Sequence, residues 1–133
     1  MSEVFNFNVR VYYEDTDAGG VVYNANYVKF LERARTEWLR HKGVEQRALL
    51  EQGVGLVVAS MNVEFRKGAR LDDELIVSSV LDSMKGASAV FNQEITDKDG
   101  NVYITAQVKI ACVDLRKMRP VMFPPVLKEV FCK

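Results

Sequence analysis

The longest regular pattern in the chain is a run of apolar residues with the spacing of an α-helix, between residues 24 and 41. Apolar side chains recur there at intervals of three and four, and charged or polar residues fill the positions between them. The apolar stripe consists of Tyr27, Phe30, Leu31, Ala34, Trp38 and Leu39. Asn24 or Asn26 is expected to cap this helix, and Gly43 follows three basic residues typical of a helix C-terminus. Because no other long helical pattern occurs, we expect the other elements to pack against this stripe.

The remaining chain mostly alternates apolar and polar residues, which is the pattern of half-buried β-strands. The alternation predicts strands over residues 5–14, 57–66, 74–84, 87–96 and 102–112. Hairpin turns are predicted at Lys85-Gly86 and at residues 97–101, and residues 66–73 form a connection. Short helices are expected over residues 45–52 and 126–131, the second of them after three prolines have interrupted the tail. One long helix beside consecutive strands predicts an α+β domain with an antiparallel sheet on one side of the helix.

Length and composition narrow the class of protein. The chain has 133 residues, and we expect a single domain spanning residues 1–133. Its 18 basic and 18 acidic residues balance, which argues against a nucleic-acid-binding protein. Residues 1–4 lack the features of a secretory signal, and no apolar stretch could span a bilayer, so we expect a soluble, cytoplasmic protein without membrane insertion. Cys112, Cys132 and His41 have no metal-ligand spacing, so neither a metal nor another cofactor is expected.

Reactive side chains are concentrated where the first strand leads into the helix. Asp15 and Asp17 stand just before Gly19 and Gly20, and the apolar segment 21–23 leads to the helix N-terminus. A carboxylate can act as a general base or a nucleophile, and the unpaired backbone N–H groups of a helix N-terminus can stabilise a developing oxyanion. Both aspartates can equally be turn residues whose side chains accept hydrogen bonds from their own backbone. The motif by itself leaves both interpretations open.

Four segments of the chain resemble one known family. They are D-T-D-A-G-G-V-V-Y at residues 15–23, N-Y-V-K-F-L-E-R-A-R-T-E-W-L-R at 26–40, V-E-F-R-K-G-A-R-L-D-D-E-L at 63–75 and C-V-D-L-R-K-M-R-P at 112–120. Together they resemble the hotdog-fold acyl-CoA thioesterases of the 4-hydroxybenzoyl-CoA thioesterase class, in particular the Tol-Pal-associated YbgC family. One position departs from the family pattern, because many members of this subfamily have a histidine where this chain has Asn24.

The resemblance implies both a fold and an activity. The implied hotdog fold has a curved antiparallel sheet wrapped around the central helix, and such proteins form dimers that commonly pair into tetramers. The implied reaction is hydrolysis of acyl-CoA, with acyl carrier protein as a second candidate carrier. In this family the second aspartate of D-x-D is the catalytic carboxylate, which corresponds to Asp17. A backbone N–H near the helix start polarises the thioester carbonyl, which corresponds to the region of Asn24.

Further residues are candidates for substrate binding. Gly19 and Gly20 match no phosphate-loop motif, and they fit a close approach of backbone to substrate better. Asp15 is expected to orient or cap. The other candidates are Val21, Val22, Tyr23, Tyr27 and Met61 for the acyl group, and Arg66, Lys67, Arg70 and Lys85 for the phosphates of coenzyme A. Core packing explains the apolar candidates equally well, and each of the cations can equally be a solvated surface charge.

Two other functions are compatible with a hotdog domain. The first is a non-catalytic module that binds an acyl carrier protein or an envelope-lipid enzyme, and Asn24 in place of the histidine favours it. The second is a dehydratase-like enzyme, which normally pairs a histidine with a carboxylate. His41 is the one histidine of the chain, and it is expected at the end of the helix, so the dehydratase is the poorer alternative.

Overall fold

The order of helices and strands follows the predicted α+β pattern. The computed structural model describes residues 3–131, and Cys132 lies outside the described residues. The elements are β1 (Phe5–Arg10), α1 (Asn24–His41), α2 (Gln46–Glu51), β2 (Val54–Phe65), β3 (Glu74–Lys85), β4 (Ser88–Thr96), β5 (Val102–Asp114), β6 (Arg119–Pro120) and α3 (Pro125–Phe131). A short 3-10 turn, Tyr13–Asp15, lies between β1 and α1. The predicted hairpin turns join β3 to β4 and β4 to β5.

The strands form one antiparallel sheet. Its order is β1-β3-β4-β5-β2, and β6 pairs with the end of β5. The register shifts at three places, between residues 58 and 60 of β2, 81 and 83 of β3, and 95 and 96 of β4. Such irregularities bend strands and increase their twist, which lets the sheet curl around a helix. The order leaves β1 and β2 as the two edge strands.

Helix α1 buries the predicted stripe against the concave side of the sheet. All six residues of the stripe are buried. The ring of Trp38 lies 5.1 Å from that of Phe91 on β4 and 5.6 Å from that of Phe131 on α3. Beyond the helix end, Gly43 has φ +86°, and the N–H of Val44 donates to the Leu39 carbonyl at 2.9 Å. This confirms the predicted glycine stop.

The last turn of α1 also contacts both ends of the described chain. Lys42 donates to Glu3 Oε1 at 2.5 Å, and its Nζ lies 5.7 Å from the centre of the Trp38 ring. The Trp38 ring in turn stacks on Phe131, as noted above. Residues 3 and 131 are therefore fixed near the same end of the helix.

Three features of the strands differ from the sequence prediction. The first strand ends at Arg10, and Tyr13 is 82% exposed because the chain turns there. The second concerns Pro120, which does not simply interrupt the tail but pairs with Val113 in β6. The third concerns β2, whose predicted apolar face is only half-buried at Met61 and Val63 and exposed elsewhere. An edge strand has a neighbour on one side only, so its side chains are less covered.

Candidate active site at the start of the central helix

Asp15 is a buried carboxylate that joins the 3-10 turn to the helix. It is 5% exposed, and its Oδ2 accepts the Tyr12 N–H at 2.8 Å. Its Oδ1 accepts the side-chain amide of Asn26 at 2.9 Å, and its carbonyl accepts the Tyr23 N–H at 2.9 Å. Asp15 therefore fixes the path of the chain immediately before Asp17 relative to the first turn of α1.

Asp17 lies in an exposed loop with a defined shape. Its N–H donates to the Val21 carbonyl at 2.9 Å, and its carbonyl accepts the Gly20 N–H at 3.0 Å. Gly20 has φ +81°, a left-handed conformation that glycine adopts without strain. The Asp17 Oδ1 accepts the Gly19 N–H at 2.8 Å, as expected for a turn aspartate, while Oδ2 accepts no hydrogen bond from the described residues. One carboxylate oxygen is therefore left for a ligand or for water.

The Asp17 loop is held by residues 68–70, a segment that is distant from it in sequence. Thr16 bridges to Val22, and Val21 bridges to Arg70. The Val22 N–H donates to the Ala69 carbonyl at 2.8 Å, and the Ala69 N–H donates to the hydroxyl of Tyr27 at 2.9 Å. The first turns of α1 thus position the segment that supports the Asp17 loop.

Tyr27 is buried under this loop. Its ring packs 6.0 Å from that of Phe65 on β2. Burial raises the pKa of the Tyr27 hydroxyl, the hydrogen bond from Ala69 lowers it, and the negative charges of Asp73 and Asp17 raise it again. Tyr27 is therefore neutral at physiological pH. Its hydroxyl is close enough to Asp17 for the negative charge of that carboxylate to affect its pKa.

The N-terminus of α1 offers free backbone donors. Its N-cap is Tyr23, without a side-chain capping hydrogen bond, so the expectation that Asn24 or Asn26 caps the helix is wrong. Asn26 is engaged by Asp15 instead. Among the described residues, the backbone N–H groups of Asn24 and Ala25 have no acceptor. They lie at the positive end of the helix dipole, where an oxyanion is stabilised.

Three of the predicted cations lie beside the junction, which is the region where the Asp17 loop leads into α1. Arg66 pairs with Glu64 at 2.9 Å, and the Lys67 Nζ lies 5.4 Å from the centre of the Tyr103 ring. The backbone N–H of Arg70 donates to Asp73, while its guanidinium has no partner among the described residues. Arg70 is therefore the cation of this group that is most available to a ligand.

Lys85 lies elsewhere. It ends β3, whereas the junction adjoins the beginning of that strand at Glu74. Eleven residues of strand at about 3.3 Å each place the two ends roughly 36 Å apart along the strand. A single chain does not bring Lys85 together with the other three cations.

The apolar candidates divide into core and surface residues. Val22 is buried in the core like Tyr27, Val21 is half-buried, and Tyr23 is exposed. Met61 packs against the core from the middle of β2, opposite Val108 on β5. Val21 and Tyr23 are the two that lie at the surface of the junction.

Sequence reasoning missed some residues that shape this site. Asn26 is eleven positions from Asp15, and Ala69 is forty-two from Tyr27, so neither contact has a local sequence signal. Arg35 lies outside the apolar stripe predicted for α1, yet it is buried. A long basic side chain within an amphipathic helix is ordinarily expected at the surface.

The described residues contain neither a metal-binding cluster nor a membrane-spanning helix. In the stretch from residue 3 to residue 131, no three His, Cys, Asp or Glu side chains are grouped to hold a metal ion. None of the helices in that stretch is long and apolar enough to cross a membrane. Cys112 is buried within β5, and burial raises the pKa of its thiol.

Comparisons with known proteins agree with this architecture. A model of the thioesterase-like superfamily matches residues 11–131. The chain is 50% identical over 128 residues to the acyl-CoA thioester hydrolase YbgC of Escherichia coli O157:H7, covering 96% of each protein. It is 48% identical to the acyl-CoA thioesterase YbgC of Haemophilus influenzae, covering 96% of this chain and 93% of the relative.

Solved structures share the fold. A 1,4-dihydroxy-2-naphthoyl-CoA thioesterase from Synechocystis superimposes with a TM-score of 0.92 at 21% identity, covering 98% of this chain and 97% of its own. A probable thioesterase from Bartonella henselae has a TM-score of 0.81 at 32% identity, covering 91% of this chain and 98% of its own. The predicted hotdog arrangement of one helix and a curled antiparallel sheet is thereby confirmed.

Proposed function

Because the chain belongs to the thioesterase-like superfamily, we propose that this enzyme hydrolyses the thioester of acyl-CoA to a free acid and a thiol, with Asp17 as its catalytic carboxylate. The observation that carries the role of Asp17 is its position. Its loop is tied by Asp15 and by the 68–70 segment to the start of α1, where two backbone N–H groups are free. A carboxylate and oxyanion donors on one rigid support are the parts that this hydrolysis needs.

The reaction can proceed with Asp17 as a general base. Its free oxygen removes a proton from water while the water oxygen attacks the thioester carbonyl carbon. The N–H groups near Asn24 donate to the oxyanion, the C–S bond then breaks, and the thiolate recovers the proton from Asp17. Alternatively Asp17 attacks the carbonyl carbon itself, and the C–S bond breaks so that coenzyme A leaves as a thiolate and a mixed anhydride remains. Water then hydrolyses the anhydride to the free acid and the Asp17 carboxylate, and the thiolate takes up one proton of that water. In neither route does the Asn24 side chain take up or give a proton, because an asparagine amide does not titrate.

The surroundings of Asp17 suggest how the substrate lies. A side chain at Gly20 would meet no atom within 4 Å, so the loop is open there to a close approach by the thioester. Val21 and Tyr23 border the path of the acyl group, with Val22, Tyr27 and Met61 supporting it from the core. In this proposal Arg70 and Lys67 bind phosphates of coenzyme A, with Arg66 as a further candidate. Lys85 would reach a bound coenzyme A only from another copy of the chain.

We also propose that the protein assembles into dimers or tetramers. In the described part of the chain, no strand pairs with the outer edge of β2, and Val57 and Val58 on this strand are 38% and 46% exposed. An exposed apolar edge strand favours pairing with a second copy. Acyl carrier protein remains a second candidate carrier of the acyl group, and the cytoplasm remains the expected location.

A non-catalytic module that binds an acyl carrier protein or an envelope-lipid enzyme is the second candidate function. It is favoured by one observation, namely that Asp17 already serves as a turn residue by accepting the Gly19 N–H. The two functions differ in turnover. Free-thiol release from a panel of acyl-CoA substrates of graded chain length is expected for the enzyme, whereas the absence of release from every member would favour the module.

Replacement of Asp17 by asparagine tests the catalytic role. Asp17→Asn keeps an oxygen for the Gly19 N–H but cannot act as a base, so kcat should fall about a hundredfold or more. The unfolding midpoint and the affinity for substrate should stay close to those of the unmodified enzyme. Asp99→Asn, an exposed change in the β4–β5 turn, is the matched control and should leave kcat unchanged. Near-normal hydrolysis by Asp17→Asn would refute the mechanism.

A further inference from the structure

A buried polar cluster lies between α1 and the sheet. Arg35 on α1 is 7% exposed, and Gln93 on β4 is 3% exposed. The Arg35 Nη1 donates to Gln93 Oε1 at 3.0 Å. The amide nitrogen of Gln93 donates to the Leu31 carbonyl at 3.0 Å and to the hydroxyl of Ser79 at 2.9 Å. Gln93 is thus held from three sides, and it fixes the orientation of the guanidinium.

Arg35 has no anionic partner among residues 3–131 of its own chain. A guanidinium carries five N–H donors, and buried cations are ordinarily paired with a carboxylate. Of the ion pairs between residues 3 and 131, none involves Arg35. Burial lowers the pKa of Arg35, while the charge of Glu32 opposes that shift from beyond ion-pair distance. Glu32 itself accepts the hydroxyl of Thr36 at 2.5 Å.

The guanidinium borders an open groove between α1 and the edge strand β2. The groove encloses about 210 Å³. Its walls include Glu32 and Arg35 from α1, with Val57 and Val58 from β2. No buried side-chain nitrogen in the described part of the chain lacks a partner, so the unused nitrogens of Arg35 reach the surface of this groove. The positive charge is therefore accessible to a partner that fills the groove.

We propose that the missing anion is the Glu32 carboxylate of a second copy of the chain, which pairs with Arg35 while the Arg35 of that copy receives Glu32 in return. This inference rests on the homo-oligomer proposed above. In a two-fold symmetric interface, a residue i that contacts j of the partner implies the reverse contact. Glu32 and Arg35 are one helical turn apart and border the same groove, so two antiparallel α1 helices can bring each beside the other.

Charge favours a second copy over a small anion. The groove carries one negative and one positive side chain, so a free carboxylate would approach Arg35 against the repulsion of Glu32. A copy of the same surface presents both charges in reverse order and satisfies both of them. The unpaired edge of β2 beside the groove extends the contact with backbone and apolar groups.

The inferred pair would set the register of the two helices. A buried ion pair adds little net stability compared with an apolar pair, but leaving one member buried and alone is costly. Registers that leave Arg35 without a carboxylate are therefore disfavoured. The pair places the two-fold axis beside the turn of α1 that contains residues 32–35.

Charge reversal with mixing tests the pair. Glu32→Arg alone sets two arginines against each other across the axis, and Arg35→Glu alone sets two glutamates against each other. Each variant should weaken dimerisation about a hundredfold or more, as seen by light scattering at micromolar concentration. An equimolar mixture of the two variants should recover the assembled mass as mixed dimers, because every arginine then meets a glutamate. Native mass spectrometry with one variant carrying a tag identifies the mixed species.

Two further measurements keep the test decisive. Circular dichroism checks that each variant folds, and if a reversal prevents folding, Glu32→Gln and Arg35→Gln replace it. Each neutral variant should weaken the dimer, and the double variant should weaken it less than the sum of the two effects. Glu37→Gln is the control, because Glu37 pairs with Arg40 of its own helix, and it should leave the dimer unchanged.

Several outcomes would overturn the inference. Unchanged mass in both reversal variants, or no recovery on mixing, would exclude the pair while leaving the oligomer itself in place. If the unmodified protein is a monomer, both the ion pair and the proposed oligomer are excluded. Stabilisation by acetate or octanoate that depends on Arg35, with no change in mass, would identify a small carboxylate as the partner instead. None of these readouts measures thioester hydrolysis, so failure here is distinct from failure of the Asp17 mechanism.

Discussion

Asp15 and Asp17 are two positions apart, yet they experience opposite environments. Asp15 is buried and accepts hydrogen bonds at both carboxylate oxygens. Asp17 is exposed and accepts one, from Gly19. A carboxylate whose two oxygens are occupied by the protein fixes geometry, while one with a free oxygen can react. The division of roles that we propose for D-x-D follows from this difference in hydrogen bonding.

Replacement of Tyr27 by phenylalanine tests whether its hydroxyl stabilises residues 68–70. Tyr27→Phe removes the acceptor of the Ala69 N–H, and Ala69 is fully buried, so the free energy of unfolding should fall by about 1–3 kcal/mol. Urea denaturation measures this change. Tyr13→Phe, at an exposed tyrosine, is the matched control and should have almost no effect. Equal stability of the two variants would mean that the hydroxyl of Tyr27 does not hold the 68–70 segment.

At the scale of elements, the turn between β4 and β5 is organised by one side chain. The Asp97 carboxylate accepts the side-chain and backbone N–H groups of Asn101, the N–H of Asp99 and the hydroxyl of Tyr103. These hydrogen bonds, led by the side chain of Asn101, lower the pKa of Asp97 to about 2. Burial, together with donation to Asp97, raises the pKa of Tyr103 to about 12. The turn is therefore stabilised by a carboxylate in its charged form.

The ionisation of Asp97 in this turn should make the stability of the fold depend on pH in the acid range. The pKa of an aspartate in the unfolded chain is about 3.9, and that of Asp97 in the fold is about 2. Because the folded-state pKa is the lower one, its stabilisation is complete above roughly pH 4 and is lost as pH falls through about 2. The difference in urea midpoint between the unmodified protein and Asp97→Asn should therefore shrink from pH 5 to pH 2.

A second substitution isolates the role of Asp97 in that experiment. Asp99→Asn removes a neighbouring carboxylate that receives none of these hydrogen bonds. The difference in urea midpoint between the unmodified protein and this variant should therefore not change between pH 5 and pH 2. A difference between the unmodified protein and Asp97→Asn that stays constant down to pH 2 would contradict the assignment.

Elements with local signals were predictable, and those defined by distant contacts were not. The apolar stripe of α1 and the glycine that ends it are encoded within a few turns, and so are the hairpins at Gly86 and Gly100. The end of β1 was not predictable, because the alternation continues through Tyr13 while a hydrogen bond to Asp15 turns the backbone. Burial of Arg35 depends on Gln93, fifty-eight residues away.

The same distinction applies to the candidate site. The turn at Gly19-Gly20 and the exposed position of Asp17 follow from local chemistry. The support of that turn by Ala69 and Arg70 depends on the course of the chain after β2, which periodicity does not specify. Separation of Lys85 from the other cations likewise became evident only from the sheet register.

At the scale of the whole molecule, the sheet separates two ends with different contents. The Asp17 loop, the start of α1 and the cations around Arg70 lie at one end. The β3–β4 turn and the turn between β5 and β6 lie at the other, where β2 begins opposite Asp114. In that second turn Met118 has φ +52°, a left-handed conformation that is unfavourable for a residue with a side chain. Changes there are far from the proposed chemistry.

The convergence of residues 3 and 131 on the last turn of α1 makes the chain suitable for circular permutation. Contacts through Lys42 and Trp38, none longer than 6 Å, connect Glu3 to Phe131. A glycine-serine linker of about eight residues, with a root-mean-square span of roughly 16 Å, can join them.

Reopening the chain between Lys117 and Met118 then creates a polypeptide that begins with its own methionine and relieves the left-handed backbone. This permutant should hydrolyse acyl-CoA and assemble into the same number of subunits as the parent protein. A permutant reopened between Gly19 and Gly20 with the same linker should fold but lose turnover. Inactivity of both would show that the order of the elements along the chain, and not only their contacts, is needed to assemble the site.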